Sequence, residues 1–166
     1  MNEAQRLVDL IPRLRRYARA LVGDRATADD LVQDTLERAW AKLHLYRRGT
    51  DLRAWLFTVM HNVHVNRVRA SRPTDTLEDE MPELAQRAAQ GDTLLVRDLD
   101  RGIALLPAEQ RAVLLLVTLE EMSYEQVARA LGIPIGTVMS RLSRAREKLR
   151  ALMHGQPVAA KLKVVK

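Results

Sequence analysis

The stretch SYEQVARALGIPIGTVMSRLSRAREKL, residues 123–149, predicts two helices joined by a tight turn. Its first four residues have the pattern of a capping box, in which Ser123 caps a helix and Gln126 reaches back to the cap. Gly132 should end this short helix, and Thr137 is expected to cap a longer one. Two helices joined in this way form a helix-turn-helix, which places its second helix in the major groove of DNA.

The second helix of this pair, which should extend to about Met153, has an apolar and a polar face. At about 100° per residue, the apolar side chains share one side: Val138, Leu142, Ala145, Leu149 and Leu152. The other side carries hydroxyls and charged groups: Thr137, Ser140, Ser143, Arg144 and Glu147, flanked by Arg141 and Arg146. Such hydroxyls and arginines suit contacts with phosphates and base edges. An ordinary amphipathic helix would show the same faces, but the capping box and the tight turn favour DNA binding.

Three further helices are predicted in the N-terminal part of the chain. The first runs from about Glu3 to Val22, where Pro12 could divide it and Gly23 should end it. Thr27 is a good N-cap for the second helix. A basic loop then leads to the third helix, over residues 51–70. With a further helical stretch from residue 93 and only 4% aromatic residues, the sequence favours an all-α protein.

The third helix carries an unusual polar face beside its apolar one. One group of its side chains falls within about 40° of a single line: Trp55, Thr58, Asn62, Asn66 and Arg69. An aromatic ring and two amides on one face can stack against unpaired bases and hydrogen-bond their edges. Tyr46, in the preceding loop, could supply another stacking surface. The alternative is that Trp55 belongs to the core and the asparagines are ordinary surface residues.

The net charge of +6 is distributed unevenly along the chain. Residues 1–70 hold 13 basic and 8 acidic side chains, residues 71–95 hold 2 and 6, and residues 96–166 hold 12 and 7. Two basic parts separated by an acidic segment fit a polyanion contacted at two places, although a solvated basic surface would look the same. Residues 71–92, with two prolines and a cluster of acids, predict a flexible linker.

Several classes of site are not expected. The absence of cysteine excludes disulfides, thiol catalysis and thiolate metal sites. No stretch resembles a signal peptide or approaches the ~18 apolar residues of a membrane span, so we expect a cytoplasmic protein without membrane insertion. His61 and His64 have no further ligand nearby in sequence, so no metal site is predicted. Without a nucleophile–base pair or phosphate-binding loop, neither enzymatic activity nor a cofactor is expected.

Two segments resemble conserved regions of one family, the extracytoplasmic-function (group IV, sigma-70 family) sigma factors of RNA polymerase. ATADDLVQDTLERAWAKL, followed by GTDLRAWLFTVMHNVHVNRVR, is similar to their second region, and LPAEQRAVLLLVTLEEMSYEQVARALGIPIGTVMSRLSRAREKLRALM is similar to their fourth. The resemblance implies two small helical domains joined by a flexible acidic linker. The expected bounds are 1–70 for the region 2 domain, 71–92 for the linker, 93–154 for the region 4 domain and 155–166 for a basic tail.

The resemblance also implies partners and roles. Core RNA polymerase would bind through its β′ clamp helices to one polar surface of the second helix: Asp30, Gln33, Asp34, Glu37 and Arg38. Melted non-template bases of the −10 element would meet the third helix and its loop: Tyr46, Trp55, Asn62, Asn66 and Arg69. Duplex DNA of the −35 element would meet the helix-turn-helix: Thr137, Met139, Ser140, Arg141, Ser143 and Arg144. An anti-sigma factor is a further expected partner.

Met139 and Ser143 stand where many relatives place a basic or larger residue, so the promoter sequence cannot be copied from a relative. Two other functions would share parts of the pattern. A regulator of another kind could use the same helix-turn-helix, but it would not need the face at Trp55, Asn62 and Asn66. A sigma-like decoy that binds an anti-sigma protein would not need the basic face of the recognition helix.

Overall fold

The computed structural model describes residues 2–71 and 94–154, with the side chains of residues 94 and 95 left out. Every regular element in these ranges is helical: α1 Glu3–Val22, α2 Arg25–Ala41, a 3₁₀ turn Leu43–Leu45, α3 Leu52–Ser71, α4 Leu94–Leu105, α5 Ala108–Thr118, α6 Tyr124–Leu131 and α7 Ile135–Met153. The all-α class is confirmed. Apart from Ser71, which ends α3, the predicted linker (71–92) and the tail (155–166) lie outside the described residues.

Helix α1 is continuous, so Pro12 does not divide it. The side chain of Asn2 caps its start by accepting a hydrogen bond from the Gln5 N–H at 2.9 Å, and Gly23 ends it with φ 77°. Proline inside a helix removes one N–H, which leaves the carbonyl four residues earlier without a partner. Here that residue is Val8, and both Val8 and Pro12 are exposed, so water can satisfy the carbonyl.

Two helices begin earlier than the sequence predicted. Asp24, not Thr27, caps α2, because its carboxylate accepts from the Thr27 N–H at 2.9 Å and from the Thr27 hydroxyl at 2.6 Å. These hydrogen bonds lower the pKa of Asp24. Helix α7 begins at Ile135 with Pro134 as its cap residue, so Thr137 lies inside the first turn. Pro134 itself is extended, with φ −61° and ψ 149°, and no side chain caps the helix.

The two groups of helices pack directly against each other. Helices α1–α3 form the N-terminal domain and α4–α7 the C-terminal domain, and α1 contacts α4 and α5 while α3 contacts α6. The buried apolar residues of both domains form one cluster. The apolar side chains along one side of α3 are buried in it: Leu52, Leu56, Val59, Met60 and Val63. The domains are therefore in contact, an arrangement that the separate helical patterns in the sequence did not predict.

No helix in the two described ranges combines the length and apolar character that a membrane crossing requires.

Candidate functional site

The helix-turn-helix is built as its sequence predicts. The Ser123 hydroxyl accepts from the Gln126 N–H at 3.1 Å, and the Gln126 side-chain carbonyl accepts from the Ser123 N–H at 2.8 Å. Gly132 takes the left-handed conformation that ends α6, with φ 66°. Val138 and Leu142 of α7 are buried and fix that helix against the domain. The orientation of α7 is thus set by local capping and by its apolar face.

The opposite face of α7 is largely open to solvent. Met139 is 53% exposed, and Ser140, Ser143 and Arg144 are also exposed. The two remaining predicted contacts differ: Thr137 and Arg141 are only partly exposed. The guanidinium of Arg141 lies 3.6 Å from the Glu109 carboxylate of α5. Helix α7 therefore presents a mixed face of hydroxyls, a thioether and arginine, of a kind that can meet phosphates and base edges.

The predicted base-capture residues of α3 and of the loop before it divide into an exposed and a buried group. Asn62, Asn66 and Arg69 are exposed. Trp55 is partly buried, and Tyr46 is only 7% exposed. Their ring centroids are 5.5 Å apart. The exposed amides can hydrogen-bond an unstacked base, whereas the Tyr46 ring is packed inside the domain in this arrangement.

The Tyr46 ring instead organises the loop before α3. Its hydroxyl donates to the Thr50 carbonyl, and the Thr50 hydroxyl donates to the Arg47 carbonyl at 2.7 Å. Asp51 then caps α3 by accepting from the Arg53 N–H at 3.0 Å. Because the sequence shows only an aromatic residue in a basic loop, it could not distinguish this structural role from base stacking.

The predicted docking surface on α2 is mostly exposed: Asp30, Gln33, Glu37 and Arg38. Asp34 is different, because its carboxylate accepts from Nε of Arg67 at 3.1 Å and also from Nη2 of the same residue. Arg67 Nη2 donates to the Asp30 carbonyl at 3.2 Å as well. Arg67 thus joins α3 to the docking surface. The sequence did not predict this pairing, since its partners lie 33 and 37 residues away.

A groove of about 680 Å³ runs between α2 and α3. Asp34, Glu37 and Arg38 of the docking surface line one side, and Asn66 and Arg67 of α3 line the other. The residues expected to meet the polymerase and a residue expected to meet melted DNA therefore share one groove.

The domain contact contains a buried acid, Glu120, which no sequence pattern identified. The side chain of Glu120 has 0% exposure and faces two arginines of α1: Arg13 Nη1 at 3.7 Å and Arg16 Nη2 at 3.5 Å. Burial raises the pKa of Glu120, while the charges of Arg16, Arg13 and Arg53 act in the opposite direction. An acidic pair after an apolar helix looks like a solvated turn in the sequence, so no local pattern could identify this contact.

The two histidines of α3 lie in a partly buried, positively charged environment. Burial lowers the pKa of His61, and the charge of Arg141 in the other domain lowers it further. The pKa of His64 is lowered by burial and then by His61, Arg111 and Arg67. Within the described part of the chain, no three histidine or acidic side chains come together as a metal site would require.

Comparisons with known proteins agree with this architecture. Residues 7–61 match the family described as the Sigma2 domain of PhyR, and residues 97–149 match Sigma-70, region 4. The ECF RNA polymerase sigma factor EcfG of Rhodopseudomonas palustris is 37% identical, over 87% of this chain and 81% of that protein. The ECF sigma factor SigL of Mycobacterium tuberculosis is 40% identical, over 81% of this chain and 79% of its own length.

A solved structure shows the same arrangement of helices. The sigma factor RpoE of Bartonella quintana, in complex with the anti-sigma factor NepR, is 34% identical with a TM-score of 0.75, covering 91% of this chain and 96% of that one. A relative above 30% identity that this chain spans for most of its length establishes the family. The chain belongs to the ECF RNA polymerase sigma factors and is an alternative sigma factor that directs promoter-specific initiation of transcription.

Proposed function

We propose that each domain contributes one DNA-binding face. Helix α7 would bind the −35 element as duplex through Thr137, Met139, Ser140, Arg141, Ser143 and Arg144. Helix α3 would bind melted non-template bases of the −10 element, chiefly through Asn62, Asn66 and Arg69. The observation that carries this proposal is that α3 in one domain and α7 in the other each have an exposed polar face opposite a buried apolar side.

Core RNA polymerase would bind the N-terminal domain at the surface formed by Asp30, Gln33, Asp34, Glu37 and Arg38. Exposed charged side chains on a rigid helix suit a polar interface that must form and dissociate. Trp40, which is 63% exposed and follows Glu37 by about one turn, adds an aromatic side chain of a kind enriched at protein interfaces. The β′ clamp helices are the expected partner.

The proposed domain roles follow from these faces. Residues 1–70 would dock on the polymerase and bind the −10 element, residues 93–154 would bind the −35 element, and residues 71–92 would link them. The chain itself would not be an enzyme, because RNA synthesis is the chemistry of the polymerase. Its site of action would be the cytoplasm, where the polymerase and the chromosome lie.

An anti-sigma factor is a further proposed partner. The RpoE structure of Bartonella quintana, which shares this fold, contains the anti-sigma factor NepR. A chain of similar arrangement offers a comparable surface for such a protein. Co-purification of the chain with candidate anti-sigma proteins from its own source would identify the partner.

Run-off transcription with purified core polymerase tests the proposed function. Addition of the chain should yield transcripts from specific start sites on genomic DNA fragments, and core polymerase alone should not. A regulator of another kind would not confer initiation on core polymerase, and a decoy that only binds an anti-sigma protein would bind neither polymerase nor DNA. Absence of specific transcripts with a chain that binds core polymerase would contradict promoter recognition.

A further inference from the structure

The domain contact centres on the loop between α5 and α6, residues 119–122, which we call the Glu120 loop. Besides the two ion pairs of its buried carboxylate, the loop accepts two hydrogen bonds from the N-terminal domain. Arg53 Nη1 donates to the Glu120 carbonyl at 2.7 Å, and Arg16 Nη2 donates to the Leu119 carbonyl at 3.4 Å. Three arginines of the N-terminal domain, Arg13, Arg16 and Arg53, therefore hold one short segment of the C-terminal domain.

A second polar contact joins the start of α3 to the helix-turn-helix. Gln126, whose side chain completes the capping box, also donates from Nε2 to Asp51 Oδ2 at 2.8 Å. Asp51 is the residue that caps α3. Helix α3 and α6, the first helix of the helix-turn-helix, are thus connected through their capping residues, so the contact fixes one domain relative to the other.

The contact also contains unfavourable features that opening would relieve. Neither carboxylate oxygen of Glu120 has a hydrogen-bond partner, and burying such a group costs free energy even beside cations. Arg13 and Arg16 are about half exposed, so they need little rearrangement to become solvated. The contact therefore combines favourable ion pairs with a cost of burying the Glu120 carboxylate that opening would remove.

The closed arrangement does not match the spacing of promoter elements. Arg141 of α7 lies close enough to His61 of α3 for its charge to act on that imidazole, and His61 adjoins Asn62. Elements at −35 and −10 are separated by about 25 base pairs, or roughly 85 Å at ~3.4 Å per base pair. Helix α3 packs on α6, and α6 packs on α7. Helices α3 and α7 are therefore too close together in the closed chain to occupy both elements at once.

We propose that the Glu120 loop is an intramolecular inhibitory contact, which keeps the free chain closed until RNA polymerase separates its domains. This inference rests on the proposed binding of two elements by two domains. The Glu120 loop of the C-terminal domain packs against a complementary surface of the N-terminal domain, which is formed by the three arginines of α1 and α3. Opening would expose the carboxylate and the three arginines to water together.

Fluorescence energy transfer between the domains tests the closed state in the free, full-length chain. Because the chain has no cysteine, Ala26→Cys and His154→Cys, both at exposed positions on different domains, allow specific labelling. The labelled chain in which Glu120 and the three arginines are unchanged should show high energy transfer. Glu120→Arg, which places a cation among three arginines, should lower it, and so should the double variant Arg13→Glu/Arg16→Glu.

Two comparisons separate loss of the contact from general damage. Glu121→Arg makes the same charge change at an exposed neighbour and should leave the transfer high. Combining Glu120→Arg with Arg13→Glu/Arg16→Glu reverses the charges on both sides and should restore most of the transfer. Equal transfer in Glu120→Arg and the parent, or low transfer in the parent itself, would overturn the proposal. Unchanged circular dichroism would verify that the helices remain folded.

Titration with core RNA polymerase tests the inhibitory role. A state that is closed for about nine-tenths of the time weakens apparent binding about tenfold, so Glu120→Arg should bind up to tenfold more tightly than the parent. Adding polymerase to the parent should lower the energy transfer. If opening leaves the apparent affinity unchanged, the contact is not inhibitory. If the parent does not bind polymerase at all, the proposed function fails, while the transfer in the free chain still reports on the contact.

Discussion

The guanidinium of Arg111 donates hydrogen bonds to carbonyls at the ends of two helices, α4 and α1. It donates to three carbonyls at the end of α4: Ile103 at 3.0 Å, Ala104 at 2.8 Å and Leu106 at 2.7 Å. A fourth bond, at 2.8 Å, reaches Leu21 near the end of α1. The last carbonyls of a helix lack partners within it, so one side chain satisfies groups in both domains. Burial lowers the pKa of Arg111 without removing its charge at neutral pH.

Arg111→Ala should lower the free energy of unfolding by about 3 kcal/mol, because hydrogen bonds to charged groups are strong and the carbonyls lose their partner. Arg111→Lys should recover only part of this loss, since an ammonium cannot reproduce the planar fork. Urea unfolding followed by circular dichroism measures the change. Arg101→Ala, at an exposed arginine of α4, should have little effect, and an equal loss there would contradict the role given to Arg111.

The lowered pKa values of His61 and His64 predict how stability depends on pH. Both imidazoles bind a proton less readily in the folded chain than in the unfolded one, where the ordinary value is 6.5. Stability should therefore be fully present above about pH 6.5 and decrease as the pH falls below it. Unfolding from about pH 7 to about pH 5 should show a shallower decrease in His61→Gln than in the parent chain. An unchanged slope would indicate that other groups control the pH dependence.

At the scale of single residues, the sequence predicts contacts that are local and misses those that are not. The Ser123–Gln126 capping box spans three positions, so its residue types and spacing define its geometry. Arg67 and Arg111 bond to residues 33 and 90 positions away. Nothing in their immediate surroundings distinguishes them from arginines on a solvated surface.

At the scale of helices, the ends marked by glycine were predicted correctly, and two of the starts were not. Gly23 and Gly132 end α1 and α6 because glycine adopts the left-handed conformation at low cost, and its N–H then bonds to a carbonyl of the last turn. At the starts, neighbouring residues compete for the cap position. Asp24 rather than Thr27 caps α2, because the Asp24 carboxylate accepts hydrogen bonds from both the backbone N–H and the hydroxyl of Thr27.

Helix α7 carries a prediction about duplex recognition. Arg144 is exposed on the face opposite Val138 and Leu142, so it can meet a base or a phosphate. Arg144→Ala should weaken binding to the −35 duplex of a promoter that the holoenzyme transcribes by ~1–3 kcal/mol if its partner is a base. Arg150→Ala, in the last turn of the same helix, is the matched control. Fluorescence anisotropy measures the affinity of each protein for the duplex. Equal affinity in the parent, Arg144→Ala and Arg150→Ala would contradict the assigned face.

Helix α2 carries a prediction about polymerase docking. Glu37 is exposed, whereas Asp34 is already paired with Arg67. Glu37→Lys should therefore reduce association with core polymerase without affecting the fold, and Asp34→Lys should also disturb the contact with α3. Asp9→Lys makes the same charge change on an exposed position of α1. If Glu37→Lys retains core polymerase in a pull-down as strongly as Asp9→Lys does, the docking surface lies elsewhere.

At the scale of the whole molecule, the sequence predicted two helical domains but not how they meet. Each domain has its own apolar periodicity, so its helices could be found separately. The contact between domains depends on Glu120 and three arginines that lie 67 to 107 positions away in the chain. Buried charge has no signature in local periodicity, because the same residues would also suit a solvated turn.

Promoter melting requires the whole assembly, and Asn62 provides a test that separates base capture from electrostatic attraction. Its exposed amide lies on α3 near Asn66, and an amide can hydrogen-bond an unstacked base. Asn62→Ala removes no charge, so polymerase association and the salt dependence of DNA binding should hardly change. The yield of open complex on a duplex promoter should fall, because captured bases offset part of the cost of unpairing. A template with a mismatched −10 element removes that cost and should restore much of the yield, while affinity for the single strand stays reduced.

Gln5→Ala, which removes an exposed amide from α1, should behave like the parent on both templates. If Asn62→Ala also matches the parent on both, α3 does not capture bases through this residue.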